Sequence, residues 1–198
     1  MIGAPGAGKG TQAVRIAEHF GVTHISSGDL LRRHVVDATA VGRQVQQYLA
    51  AGDLVPDGIV MDILRKPIVN ASAAGGYVLD GFPRTLLQAE TAYVTALDLG
   101  VAVQAVIHLV VPRGELVRRL LERGAGSGRN DDTAAVIEHR LDVYEAKTLP
   151  MLDYYAGREQ LITVDGAAGV DEVTAVVTSG LEGIRPLLTD ADRRSTGT

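Results

Sequence analysis

Gly3-Ala4-Pro5-Gly6-Ala7-Gly8-Lys9-Gly10-Thr11 runs straight into a stretch where Ala13, Val14, Ile16, Ala17 and Phe20 recur at helical spacing before Gly21. A glycine-rich turn feeding a helix N-terminus aims several backbone N–H groups at one point, and the helix dipole reinforces them, so this turn is an anion site. The glycines permit positive φ and close approach of backbone to ligand. Lys9 sets a point charge beside phosphate oxygens, and the Thr11 hydroxyl can donate to them or approach Mg2+. The plainer alternative for this spacing is a flexible turn with a solvated lysine. In the commonest phosphate-binding turn Ser or Thr directly follows the lysine, whereas here Gly10 intervenes.

Outward from this turn, short β-rich runs at residues 23–25, 77–80, 103–111 and 161–164 alternate with amphipathic stripes at residues 30–36, 41–51, 59–69, 86–99, 116–121, 134–149 and 170–181. Alternation of this kind means parallel strands joined by helical crossovers, with helices on both faces. The expectation is a doubly wound α/β domain with a central parallel sheet, and the nearly all-apolar run 103–111 belongs near its centre. The helical pair within residues 26–68 reads as a mobile insert, and Gly124-Ala125-Gly126-Ser127-Gly128 as a flexible turn or lid.

The 198 residues suit one domain. Nineteen Lys and Arg against 24 Asp and Glu give a net charge of -5, which disfavours a nucleic-acid partner. With 46% hydrophobic and 22% charged residues, global disorder is excluded, and only residues 187–198 read as a flexible tail. There are no cysteines, which excludes disulfides and thiolate metal sites and suits a reducing compartment. No apolar run approaches ~20 residues and no signal-peptide layout opens the chain, so a cytoplasmic protein without a membrane partner is expected. Only three of the basic residues are lysines, Lys9 among them.

Six ordered motifs then carry a resemblance. They are residues 3–12, Ile25-Ser26-Ser27-Gly28-Asp29-Leu30-Leu31-Arg32, Gly52-Asp53-Leu54-Val55-Pro56, Asp80-Gly81-Phe82-Pro83-Arg84-Thr85 with Gln88, Arg129-Asn130-Asp131-Asp132 with Arg140, and Val164-Asp165. Together they resemble the nucleoside monophosphate kinases, and among these the adenylate kinase family, over residues 2–184. The resemblance implies a P-loop NTPase fold with an NMP-binding insert at residues 26–55 and a short lid at residues 123–133. It also implies a cytoplasmic monomer whose partners are ATP and AMP, and reversible Mg2+-dependent transfer of the γ-phosphoryl group to AMP, giving two ADP.

Phosphoryl transfer is carried by positioning and by cations, because charge spreads over the moving group and the acceptor phosphate is already an ionised nucleophile. An acidic chain that gathers Arg32, Arg84, Arg119, Arg123, Arg129 and Arg140 into its motifs would focus positive potential in a cleft. Planar guanidinium forks suit bidentate phosphate contacts, although any one of these arginines taken singly reads as a surface charge. By resemblance, Lys9, Arg84, Arg119, Arg123, Arg129 and Arg140 are the catalytic set. Gly6, Ala7, Gly8, Lys9, Gly10, Thr11, Arg123 and the backbone at Ala168 hold ATP. Ser27, Arg32, Asp53, Leu54, Val55, Gly81, Phe82, Pro83, Arg84, Gln88, Arg129 and Arg140 hold AMP. Asp29 and Asp80 hold Mg2+ through water; helix capping by Asp29 and turn formation by Asp80 are compatible with that role.

Gln88 discriminates between acceptors, since an amide can donate and accept in one plane against an adenine edge. UMP/CMP kinases tend to carry Asn in the position of Thr85 and Ala in that of Ser27, so these residues favour AMP over the pyrimidine alternative. In this family a buried strand of about five residues precedes the glycine loop, yet only Met1 and Ile2 stand before Gly3. Four missing apolar residues at roughly 1.5 to 3 kcal/mol each rival the stability of a domain. The expectation is that the natural protein starts a few residues earlier, and a catalytically impaired nucleotide-binding module is the third reading. The five histidines have no metal-ligand spacing, and His108 reads as a satisfied core residue.

Overall fold

The computed structural model describes the chain except residues 102, 128–132, 158–159 and 196–198, and except the side chains of 127, 160 and 185–195. Strand β1 (Ile2–Gly3) enters the glycine turn, and α1 (Lys9–Phe20) starts behind Gly8 in left-handed geometry. Helix α1 stops at Gly21, whose amide returns to the Ala17 carbonyl from another left-handed conformation. β2 (Thr23–Ser26) leads into α2 (Ser27–Val36), α3 (Ala40–Ala51) and α4 (Asp57–Ala73), so the expected insert is three helices rather than a pair. There follow β3 (Tyr77–Asp80), α5 (Leu86–Leu99), β4 (Ala105–Val110), α6 (Arg113–Ser127) and α7 (Ala134–Val143). A π-helical turn (Tyr144–Thr148), α8 (Met151–Ala156), β5 (Gln160–Asp165) and α9 (Val170–Ser195) complete the order. Side chains of Ser26, Thr39, Thr85 and Thr133 accept the first free amides of α2, α3, α5 and α7, which is why these helices start where they do.

All strands are parallel, in an α/β architecture with helices packed around the sheet. β4 lies between β1 and β5, pairing Ile2 with His108 and Leu109 with Val164, and is buried over most of its length, as its apolar run requires. β2 and β3 pair separately, Ile25 with Leu79 and Ser26 with Asp80. The expected single sheet is therefore hydrogen-bonded as three strands and two, because a two-residue β1 is too short to ladder with β3 as well as β4. The Met1 ammonium links it to β3, donating to the Leu79 carbonyl at 2.6 Å. Burial pushes that amine down to about 6. Beside Met1 a cavity of about 420 Å³ lies between Tyr77, Leu79, Ala105 and Ile107, with Phe20 and Tyr155 on its walls.

Ile16, Leu109, Leu120, Ile137, Leu141, Val164 and Val177 form one core that ties α1, α6, α7 and α9 to the three-stranded sheet. Leu31, Val45, Val60, Leu64 and Phe82 form another, which fastens α2 to α4 onto β2 and β3. Gly42 sits where α2 and α3 cross, and a Cβ there would lie 1.9 Å from the His34 carbonyl oxygen. His108 is a core residue, its Nε2 3.1 Å from the Tyr144 hydroxyl.

Three other expectations differ. Gly124 to Ser127 continue α6 as helix, because a glycine costs only about 1 kcal/mol in a helix; the rest of the lid, including Arg129, Asp131 and Asp132, lies outside the described residues. The stripe at residues 134–149 is interrupted by the π turn, which places the Thr148 hydroxyl on the Arg84 carbonyl at 2.8 Å. Backbone helix α9 reaches Ser195, through much of the segment read as a flexible tail.

Candidate active site

Two adjoining cavities collect most of the residues singled out in the sequence. The larger, about 460 Å³, is lined by the turn from Pro5 to Gln12, by Asp29, Arg32, Asp80, Gly81 and Arg84, and by Arg119, Arg123, Arg140 and Ala168. The smaller, about 50 Å³, is lined by Ser27, Asp53, Leu54, Val55 and Gln88, and shares Arg32, Gly81, Arg84 and Arg140 with its neighbour. Two predicted residues behave differently. Phe82 is packed in the insert's core, and Pro83, after a cis Phe82–Pro83 bond, faces a separate small cavity beside Met1 and Thr148.

The glycine turn is built by packing. Ala4 and Ala7 are buried, and the Ala7 amide donates back to Ala4. Gly6 has φ +84, and a Cβ there would meet Leu120 Cγ at 2.9 Å, so only glycine lets the turn lie against α6. Lys9 Nζ donates to the carbonyls of Gly3 and Ala4, each at 2.8 Å. Burial pushes its pKa down to about 8; Asp80 opposes that shift, while Arg84, Arg140 and Arg123 reinforce it.

Arg84 is buried deeply enough that desolvation, helped by Arg140, pulls its pKa below the ordinary guanidinium value, and its Nε donates to Gly81. Arg32 pairs with Asp29 at 2.5 Å. The cap of α2 is Ser26 and not Asp29: the Ser26 hydroxyl accepts the Asp29 amide, and the Asp29 carboxylate pairs with Arg32. The Ser27 hydroxyl, almost fully buried, donates to Gly81. On the opposite wall Arg119 donates to Glu115 and to the Gly166 carbonyl in the loop after β5, with Ala168 beside it. Asp80 is buried, and among the described residues its Oδ1 has no hydrogen-bond partner.

Comparison with known proteins matches residues 1–160 to the adenylate kinase family model. An adenylate kinase of Kocuria rhizophila is 44% identical over 182 residues, 92% of this chain and 97% of that one. One from Leptospira biflexa is 43% identical over 89% of this chain and 95% of its own, and one from Nocardia farcinica 46% over 87% and 92%. The chain belongs to the adenylate kinase family.

Within this adenylate kinase family site, several supporting residues had no local sequence signal. Thr148 reaches Arg84 across 64 residues, and His139 Nε2 lies 2.6 Å from Asp53 Oδ1, joining α7 to the loop after α3. Gln12, buried at the start of α1, donates to Val170 and accepts from Thr174, which fixes α9 behind the turn. Asp57 bonds Gln88. Glu115 does carry a local signal: it stands three and four residues before Arg118 and Arg119, which hold its carboxyl down at about 2. Among the described residues no group of three or more His, Asp or Glu could hold a metal, and no helix is long and apolar enough to cross a membrane.

Proposed function

We propose that the larger cavity takes the phosphates of ATP and the smaller one AMP, and that the chain transfers the γ-phosphoryl group between them as a cytoplasmic monomer with no nucleic-acid partner. The observation that carries this reading is that both cavities share Arg84 and Arg140, so that one cationic wall meets the acceptor phosphate and the transferred group together. An AMP phosphate oxygen attacks the γ-phosphorus in line as the bond to the bridging β–γ oxygen breaks, and the electron pair leaves with ADP. Backbone amides from Gly6 to Thr11 and Lys9 hold the donor phosphates, while Arg119 and Arg123 close on them from α6. Arg84, Arg140 and Arg32, with Arg129 from outside the described residues, grip the acceptor phosphate. Ser27, the backbone of Asp53 to Val55, and Gly81 form the walls of the acceptor side, where Gln88 meets the base.

Mg2+ fits this donor set. Asp80 offers a buried oxygen that has no hydrogen-bond partner among the described residues, Asp29 lines the same cavity, and two carboxylates with substrate phosphates and water suit an ion that keeps much of its hydration. When bound it would neutralise charge on the phosphates. No general base is needed, and closure over the cleft keeps water from the γ-phosphate.

Measured directly, ADP should form from ATP and AMP with Mg2+, with CMP, UMP and GMP poor acceptors. Preferred turnover of CMP or UMP would favour the pyrimidine kinase reading. Nucleotide binding without turnover would leave an impaired module. A second expectation comes from Gly52, which ends α3 at φ +81 with room for no Cβ: one placed there lies 2.7 Å from Arg140 Cγ. Gly52→Ala should raise KM for AMP about tenfold and cost about 1 kcal/mol of stability in thermal unfolding. An unchanged KM would detach Arg140 from the acceptor site.

A further inference from the structure

We propose that Asp57 sets the acceptor preference by locking the amide of Gln88 in a single orientation. The proposal rests on the reading of Gln88 as the residue that meets the acceptor base. Gln88 is 3% exposed. Its Oε1 accepts the Arg84 backbone N–H at 2.7 Å, and its Nε2 donates to Asp57 Oδ1 at 2.6 Å. Neither partner can exchange roles, because a backbone N–H only donates and an ionised carboxylate only accepts. A side-chain amide turned by half a rotation would set oxygen against oxygen and hydrogen against hydrogen, so the two partners together admit one orientation.

With those bonds made, a glutamine amide still has one N–H and one lone pair to offer, and Gln88 lines the smaller cavity. A purine edge that presents a donor beside an acceptor is read only if the amide offers them in the matching order. Asp57 supplies that order from the first turn of α4, 31 residues away in sequence. The competing explanation is that Asp57 serves α4 alone, as an acid near a helix N-terminus. An acid kept only for the dipole has no need of a distant amide, yet Asp57 holds Gln88 at charge-assisted distance. The chain of bonds continues through Gln88 to the Arg84 amide, so the base end and the phosphate end of the acceptor site share one rigid connection. Asp57 touches Gln88 and not the substrate; it is a positioning residue.

The test compares Asp57→Ala, Asp57→Ser, Asp57→Asn and Gln88→Ala with the unaltered chain, measuring kcat and KM for ATP and for AMP, CMP, UMP and GMP, and thermal unfolding. Asp57→Ala should raise KM for AMP about tenfold and lower the preference for AMP over CMP about tenfold, with kcat and KM for ATP within about twofold. Asp57→Ser, which keeps a good helix-start residue too short to reach Gln88, carries the same expectation should the alanine variant fold poorly. Asp57→Asn retains an accepting oxygen and should stay within about threefold of the unaltered chain. Wild-type acceptor preference in both the alanine and serine variants overturns the proposal. So does a loss that falls equally on ATP and AMP and that asparagine does not rescue. Gln88→Ala separates the two levels: if it leaves acceptor preference unchanged, the reading of Gln88 falls and the proposal with it; if it abolishes preference while Asp57→Ala does not, only the role of Asp57 falls.

Discussion

Lys9→Met is expected to lower kcat/KM about 10³-fold while the protein melts no lower than the unaltered chain. The first half follows from removing a preorganised cation in a cleft where charge spreads over the transferred group, a loss of the size seen when one such donor is deleted. The second half follows from where Lys9 sits. Its ammonium is desolvated, and its folded pKa of about 8 lies below the unfolded value of 10.5. Below pH 8 the lysine is charged in both states, and the full cost of burying that charge weighs on the fold. Between pH 8 and 10.5 the unfolded chain binds more protons at this position, so stability should rise with pH across that window. Methionine removes the charge and keeps the length of the side chain. The same pKa gives a pH signature, since kcat/KM reports groups of the free protein. In the unaltered chain kcat/KM should fall above about pH 8, and in Lys9→Met that limb should disappear. Residual activity within tenfold of the unaltered chain would remove Lys9 from the chemistry.

The second large effect is on stability. Extending the chain before Met1 by four apolar, β-branched-rich residues should raise the melting temperature by about 10 °C. Register places such residues in the cavity between β3 and β4: Ile2 pairs with His108, so positions before it run alongside Ile107, Val106 and Ala105. Four side chains buried at roughly 1.5 to 3 kcal/mol each contribute about 6 to 12 kcal/mol, and ordering four residues takes back about 6. The net is about 3 kcal/mol, and conversion of the buried Met1 amine into an amide adds to it. At 2 to 4 °C per kcal/mol for a chain of this size, the shift is well outside error. A Gly-Ser extension of equal length should leave the melting temperature where it is. An equal rise from both would mean that the cavity is not a strand site.

The glycine turn was legible because its chemistry is local. Gly6, Gly8, Lys9 and Thr11 are consecutive or nearly so, and backbone geometry with one charge is enough to make an anion site. Strand and helix order was legible for the same reason, as periodicity is a short-range signal and parallel crossovers follow from alternation. The smaller cavity was legible in part: Ser27, Arg32 and Gln88 stand in recognisable motifs, whereas Asp57, His139 and Thr148 enter only through contacts spanning 31 to 86 residues. Phe82 shows the converse. It stands in the middle of a site motif, but an aromatic ring beside an apolar cluster is more stable inside it, and the ring went into the core under α4.

What the sequence determined by itself, then, is the phosphate turn, the parallel α/β order and a concentration of arginine in an acidic chain, all consequences of residue type and short-range spacing. Only tertiary structure decided that Arg84 and Arg140 stand between two cavities, that a buried Asp80 oxygen has no hydrogen-bond partner among the described residues, that α6 carries helix through Gly124 and Gly126, and that a two-residue β1 leaves the strands hydrogen-bonded as three and two. Each of these depends on which distant backbone packs against which. That is a balance of burial, desolvation and hydrogen bonding summed over the whole fold, and no window of sequence contains it.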